Sequence, residues 1–290
     1  MKGRMWMTLS ALALSAGLST VCLADVTGKA VLDGQAPKPK EINMKAVPQC
    51  AAQHADKVYD ESIVVGAGNE LKNVVVSVKD GAKLNGPART EPVTLDQKGC
   101  IYSPHVVAVQ VGESLIAKNS DSFLHNVHGL GRDNPEFNFP QQQTGQETKI
   151  DNGTKAPETY KVKCDVHPWM SAWVVVLDHP YFAVTGDNGE FTIKGLKDGK
   201  YTLQAWQEKL GTQEAEVEVK DGKATKPIEF KFQPKKRAAA DVAKEVKETV
   251  AVSTPAAASD ECEFCKKEAA TVAKAATPAK GTQPQAAATK

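Results

Sequence analysis

An all-β protein made of two β-sandwich modules with a disordered C-terminal tail is the fold class that this sequence predicts. Three observations lead there. Apolar residues between Asp25 and Gln233 recur with period two, short Gly- and Asn-containing turn signals interrupt them, and no stretch of that body has an amphipathic helical pattern. A length of 290 residues with 41% hydrophobic and 24% charged side chains is enough for about two domains.

The elements follow in order. Lys2 and Arg4 precede an uncharged run from Met5 to Ala24, and Cys22-Leu23-Ala24 has small residues where a signal peptidase reads. Residues 1–24 are therefore expected to be a cleaved signal peptide, and the mature chain an exported, periplasmic protein with no later membrane span. Left uncleaved, the same run is just long enough for an anchor. Val21 stands where a lipobox needs a small residue, which argues against lipidation of Cys22. Strands are expected at 71–79, 105–111, 114–118, 159–163 and 172–177, with turns at Asp80-Gly81, Val111-Gly112-Glu113 and Asn152-Gly153. A second series comprises 182–185, a tight hairpin turn at Asp187-Asn188-Gly189, 191–193 and 201–206. From Pro234 to Lys290 the chain holds 17 alanines and one aromatic, Phe264, which reads as a disordered or weakly helical tail.

Charge excludes one class of function. The whole chain carries 36 basic and 35 acidic side chains, and the body 25–233 carries 24 and 28, so no basic excess marks a nucleic-acid binder. Cleavage at residue 24 leaves five cysteines. In an oxidising compartment four can pair, and the fifth needs another explanation.

That explanation is offered by Cys164-Asp165-Val166-His167-Pro168-Trp169-Met170. A thiolate, an imidazole and a thioether stand at C-x2-H-x2-M spacing between two strands, where a tight loop can turn all three toward one point. Soft sulfur ligands with imidazole suit copper, and methionine is a poor zinc ligand. A trigonal blue-copper set needs a second imidazole, which the segment Asn119-Ser120-Asp121-Ser122-Phe123-Leu124-His125-Asn126-Val127 provides as His125.

Together these two segments resemble the cupredoxin family of small blue copper proteins, of the plastocyanin and amicyanin type, over about Val64 to Asp178. The resemblance implies a Greek-key β-sandwich and one type 1 copper. His125 and His167 would bind through Nδ1, Cys164 through its thiolate and Met170 weakly along the axis. Asn126 would tie the two ligand loops together. It also implies a solvent-facing His167 edge within an apolar electron-transfer surface that includes Pro168 and Trp169. The partner would be a c-type cytochrome or a periplasmic oxidoreductase. His128, three residues after His125, is a possible extra ligand. Six histidines in all are too few for the added trinuclear cluster of a multicopper oxidase. With every ligand position filled by protein, the expected role is one-electron carriage and not catalysis. A copper-delivery protein and an exported structural module with a vestigial site are the alternatives.

His54, His105 and His179 read as structural or exposed, and Trp173 as core packing. Cys50 and Cys100, each near a strand boundary and without metal-like neighbours, form the natural disulfide pair. For Cys262 and Cys265, spaced C-x2-C in the tail, a local disulfide and a weak metal grip both stay open, the disulfide being preferred. Residues 183–203, with the rhythm G-x-F-x-I and G-x-Y-x-L, resemble the carboxypeptidase regulatory-like, transthyretin-like sandwich. On that reading the copper domain occupies 25–178 and the second module 179–233. The Val26–Asp33 strand resembles the second module's opening strand and would belong to it.

Overall fold

A computed structural model describes residues 24–234 apart from 82, 83, 85 and 222. The signal segment and the tail, including Cys262 and Cys265, lie outside the described residues. Strands dominate, and the one helix among the described residues is the single turn Pro48–Ala51.

Four sheets build two sandwiches. One sandwich pairs a three-stranded sheet, in the order Glu190–Leu196, Ala24–Leu32, Ile228–Phe232, with a five-stranded sheet. The latter runs Phe182–Val184, Val75–Gly81, Gly199–Gln207, Gly211–Lys220, Lys223–Ala224. Period-two patterning sorts its side chains: Ile228, Phe230 and Phe232 point inward while Glu229 and Lys231 face water. They meet Val26, Leu32, Val76, Phe191, Ile193 and Leu203 in a core of aliphatic and aromatic groups.

The other sandwich holds the sequence-predicted metal residues. Its five-stranded sheet runs Val106–Gln110, Ser171–Leu177, Glu158–Lys163, His125–Gly129, Phe137–Gln141. Its four-stranded sheet runs Tyr102–Ser103, Val93–Gln97, Leu115–Asn119, Gln146–Lys149. Leu95, Val109, Leu115, Val127, Val162 and Val174 fill the space between them.

The division of the chain differs from a simple boundary at residue 178. Ala24–Leu32 pairs with Glu190–Leu196 and Ile228–Phe232, and Val75–Gly81 pairs with Phe182–Val184 and Gly199–Gln207. Both strands therefore belong to the second sandwich, and the metal-bearing sandwich is inserted into it. The run Val74-Val75-Val76 is apolar throughout because its two faces look at different cores. Val74 and Val76 enter the second sandwich, whereas Val75 joins Val106, Ala108, Val175 and Phe182 in a small cluster where the modules meet. Strand Ser171–Leu177 does the same from the other side, sending Ala172, Val174 and Val176 inward and Val175 to the junction. Both modules fall in one compact unit. Trp173 packs at this junction and not in a core, edge-on to Trp206 with ring centroids 5.5 Å apart, its indole N–H bonded to Glu208.

One further expectation changes. Asp187-Asn188-Gly189 is a tight turn, with Gly189 at φ 67° and its N–H on the Gly186 carbonyl at 3.0 Å. Its flanking strands sit in different sheets, however, so it is a corner and not a hairpin. The polar stretch 130–157 supplies two edge strands, Phe137–Gln141 and Gln146–Lys149. Their polar alternation suits a sheet edge better than a core.

Candidate metal centre

Two adjacent strands close the first ligand loop. Lys163 and Ser171 are directly paired, so residues 164–170 turn back within one hairpin. The Cys164 N–H donates to the Met170 carbonyl at 3.1 Å and the Met170 N–H to the His167 carbonyl at 2.9 Å. This pins the first and last of the sequence-predicted ligands to each other. His125 opens the neighbouring strand His125–Gly129, which pairs with Glu158–Lys163. Alternation along it turns His125 and Val127 into the core and Asn126 and His128 to the opposite face.

Three donors converge. The Nδ1 atoms of His125 and His167 are 2.9 Å apart, and the Cys164 Sγ lies 3.8 Å from His167 Nδ1. One donor atom from each of the three residues falls within 4.8 Å of the others. Their side chains are sealed from water: His125 is 0%, Cys164 2%, His167 2% and Met170 1% exposed. Cys164 is the free cysteine among the described residues. Burial by itself would raise its thiol, but hydrogen bonds from His125 and His167 and from the backbone of Asn126 and His167 outweigh it, and the pKa falls to about 6. The donor set therefore fits a soft metal ion: a thiolate is present at neutral pH, beside two inward imidazole nitrogens.

Asp121, which the sequence named only within the segment leading to His125, is a site residue. Its Oδ2 lies 2.8 Å from His125 Nε2. With that nitrogen protonated and donating, the His125 Nδ1 lone pair is aimed into the site. The same carboxylate accepts the N–H groups of Gly99 and Cys100 at 2.7 and 2.8 Å. Both residues have left-handed backbone, φ 65° and 55°, which turns their two N–H groups toward one anion. Burial would raise the Asp121 carboxyl, yet these partners hold it below the usual carboxylate range. Burial would likewise depress His125, yet Asp121 and Cys164 raise its pKa. The four-residue spacing of Asp121 and His125 was the available signal.

Asn126 joins the two loops. Its Oδ1 accepts the Asp165 N–H at 2.6 Å, and its Nδ2 donates to Asn138 at 2.7 Å and to Asp165 at 3.1 Å. Tyr102 donates its hydroxyl to the Asn126 carbonyl at 2.6 Å from below. His128 is not in the donor cluster. On the outer face its Nδ1 meets Asp165 at 2.9 Å and its Nε2 meets Glu136 at 2.7 Å, so both ring nitrogens are committed elsewhere.

The surroundings of His167 correct a sequence expectation. Pro168 is exposed and Trp169 half-buried, but the His167 edge does not face solvent. Trp169 lies 5.4 Å and Phe123 6.2 Å from it, ring centre to ring centre. The sulfurs of Cys50 and Cys100 lie within 4.8 Å of a His167 ring nitrogen. These two cysteines are disulfide-bonded, with Cα atoms 5.6 Å apart, and both are fully buried. The covering segment precedes the sandwich in sequence, which is why no local spacing announced it. The remaining histidines are hydrogen-bonded in place: His54 Nε2 to the Gly99 carbonyl, His105 to Glu208, and His179 to the Val78 carbonyl.

Comparison with known proteins adds the following. Residues 163–227 match a family model described as polysaccharide lyase family 4, domain II. No curated protein sequence matches the chain. Among solved structures it is similar to a Cu-containing nitrite reductase from Thermus scotoductus SA-01, at 26% identity and a TM-score of 0.28. That match covers 35% of this chain and 25% of the reductase, so the chain spans only a quarter of that protein. A purple cupredoxin from Nitrosopumilus maritimus aligns at 24% identity and a TM-score of 0.26, over 29% of this chain and 99% of its own. An amicyanin variant in its Cu(I) form aligns at 20% identity and a TM-score of 0.27, over 35% and 98%. Overlaps of this size carry no functional conclusion.

Proposed function

We propose that this protein is an exported one-electron carrier that holds a single type 1 copper. The observation that supports it is the buried convergence of His125, Cys164 and His167, with a thiol already lowered to about 6. His125 and His167 would hold the metal through Nδ1 and Cys164 through sulfur, with Met170 as the axial thioether. When bound, copper supplies reversible one-electron exchange. The chain's own part is to keep the donors rigid. Asp121 fixes the His125 ring, Asn126 locks one ligand loop to the other, and the Cys164–Met170 backbone bond holds the hairpin closed. Exclusion of water by the surrounding core leaves no open position at which a substrate would bind.

Because the His167 edge is covered, the way out for an electron runs through the half-buried Trp169, whose ring lies 5.4 Å from His167 and whose chain neighbour Pro168 is exposed. The fitting partner class is a c-type cytochrome or a periplasmic oxidoreductase, met in a small transient contact. The second sandwich, into which the metal module is inserted, serves as its structural support. No helix among the described residues is long and apolar enough to cross a membrane. The periplasmic location rests on residues 1–24.

The test is the absorption and EPR spectrum of the mature, copper-loaded protein. One copper per chain with an intense thiolate-to-copper band, reversibly bleached by reduction, is expected. Cys164→Ser should abolish the band. A band that survives this substitution overturns the assignment, and rapid surrender of Cu(I) to a chelator would favour a delivery role instead.

A further inference from the structure

Residues 42–58 do not belong to either sandwich, yet they close over the metal centre. The loop departs after Ala24–Leu32, a strand of the second sandwich, and the chain returns to that module's core at Ile63 and Val65. Its neck is tied: the Ile42 N–H donates to the Val58 carbonyl at 2.9 Å and the Asp60 N–H to the Lys40 carbonyl at 2.8 Å, with Lys57 paired to Glu41 across it. From this neck Met44 and Cys50 are buried in the metal module's core, and Ile42, Val47, Ala51 and Val58 pack against it. Two tethers hold the loop's far end to the Gly99-Cys100 turn, the Cys50–Cys100 disulfide and the 2.7 Å contact of His54 Nε2 with the Gly99 carbonyl.

The position of the disulfide is what matters. The Cys50 and Cys100 sulfurs share a 4.8 Å neighbourhood with His167, and the Cys100 sulfur shares another with Asp121 and His125. The bridge thus lies against both imidazoles that would hold the metal, and the loop it secures takes the place of solvent there.

We infer that this disulfide-secured loop is the barrier to copper exchange, so that copper enters the open, dithiol form of the chain and is trapped when the bridge forms. The inference rests on the copper-site reading above. Closure joins the two sulfurs: the thiols lose two protons and two electrons by exchange with a disulfide donor, which is itself cleaved to a dithiol. Copper loading would accordingly come before, or together with, a disulfide-forming reaction, and the closed chain would act after both. Once closed, loss of metal requires local opening of residues 42–58, and the tethers raise its cost.

The experiment measures the rate of copper uptake by apo protein, followed by the thiolate-to-copper band, and the rate of release of Cu(I) to a chelator. Three forms are compared: the disulfide-bonded chain, the same chain reduced with a phosphine that is removed before copper is added, and the Cys50→Ala/Cys100→Ala double variant. The reduced and double-variant forms should take up and release copper at least roughly tenfold faster than the bonded chain while reaching the same stoichiometry and spectrum. His54→Ala, which removes the other tether and leaves the bridge intact, should give a smaller acceleration. Hydrogen exchange of residues 42–58 in the apo protein should rise in the same order, which reports on the loop without copper. Equal rates in all forms, with normal spectra, overturn the barrier while leaving the copper site standing. Failure of every form to bind copper overturns the site reading and this inference with it.

Discussion

The two sandwiches of this chain are built from the same kind of strand but fill their interiors differently. The second module packs Val26, Leu32, Phe191, Ile193, Phe230 and Phe232 against one another, an ordinary apolar core. The metal-bearing module packs a comparable set, Leu95, Val109, Val127 and Val174, and then places His125, His167, Cys164, Asp121, Asn119, Gln97 and Gln141 among them. Burying such groups costs free energy unless each is partnered. Nearly all are: Asn119 Nδ2 donates to the Phe123 and Gln141 carbonyls, Gln97 Nε2 to the Lys118 carbonyl, and Gln141 to the Ala117 carbonyl, while the Gln97 Oε1 atom alone of that set has no partner among the described residues. The neighbouring sandwich buries polar groups too, but Thr185, His179 and Gln207 each bond to a backbone carbonyl, whereas in the metal-bearing module Gln97 and Asn119 both bond to Gln141 and form a network. This network serves the loop 119–125 and the site that this loop carries.

The largest effect that would sharpen this contrast is a cavity in the apolar module. Phe232→Ala, at a fully buried position, should cost about 3–5 kcal/mol of stability in denaturant titrations and leave the copper band unchanged. A lost band would mean that the second module shapes the site directly. Next, Asp121→Asn should weaken copper binding by about 10–100-fold, because the His125 ring loses its anionic partner, with a competition titration as the measurement. The shift of the band that accompanies it separates positioning of His125 from a merely structural loss.

A smaller effect concerns pH. A thiol whose folded pKa lies near 6, below the 9.0 of a free thiol, contributes stability that is complete above about 9 and is lost as pH falls through about 6. Thermal unfolding of the apo protein should therefore show a gain on going from pH 6 toward 9, and Cys164→Ser should remove that gain. A pH profile identical in the two proteins contradicts a thiolate in the folded state. The smallest change is expected of His128→Gln. Copper content and spectrum should stay as they were, since both His128 nitrogens face Asp165 and Glu136 on the outer side of the sheet. A fall in copper content would return His128 to the ligand set.

The legible parts of the site are those set by short spacing. Seven residues from Cys164 to Met170 make a loop too short to send its donors apart, and the segment ending in His125 supplied the second imidazole; that His128 faces outward emerged only with the strand His125–Gly129. What stayed illegible depends on partners distant in sequence. The role of Asp121 was not legible because it requires the backbone of residues 99 and 100, which only the folded chain brings near. The apolar runs around Val75 and Val175 were legible as strands. Their assignment to modules was not, because an apolar residue facing a junction reads the same as one facing a core.

By itself, the sequence determined the class of fold, through period-two burial and turn residues, and determined the local donor sets, through spacings that no long-range contact can alter. The resemblance of the Val26–Asp33 strand already pointed to an insertion, but only the tertiary structure decided that Val75–Gly81 also joins the second sandwich and that residues 42–58 pack beside His167. The physical reason is that hydrophobic burial is non-directional: it specifies which side chains must leave water, and the pairing of remote strands settles where they go.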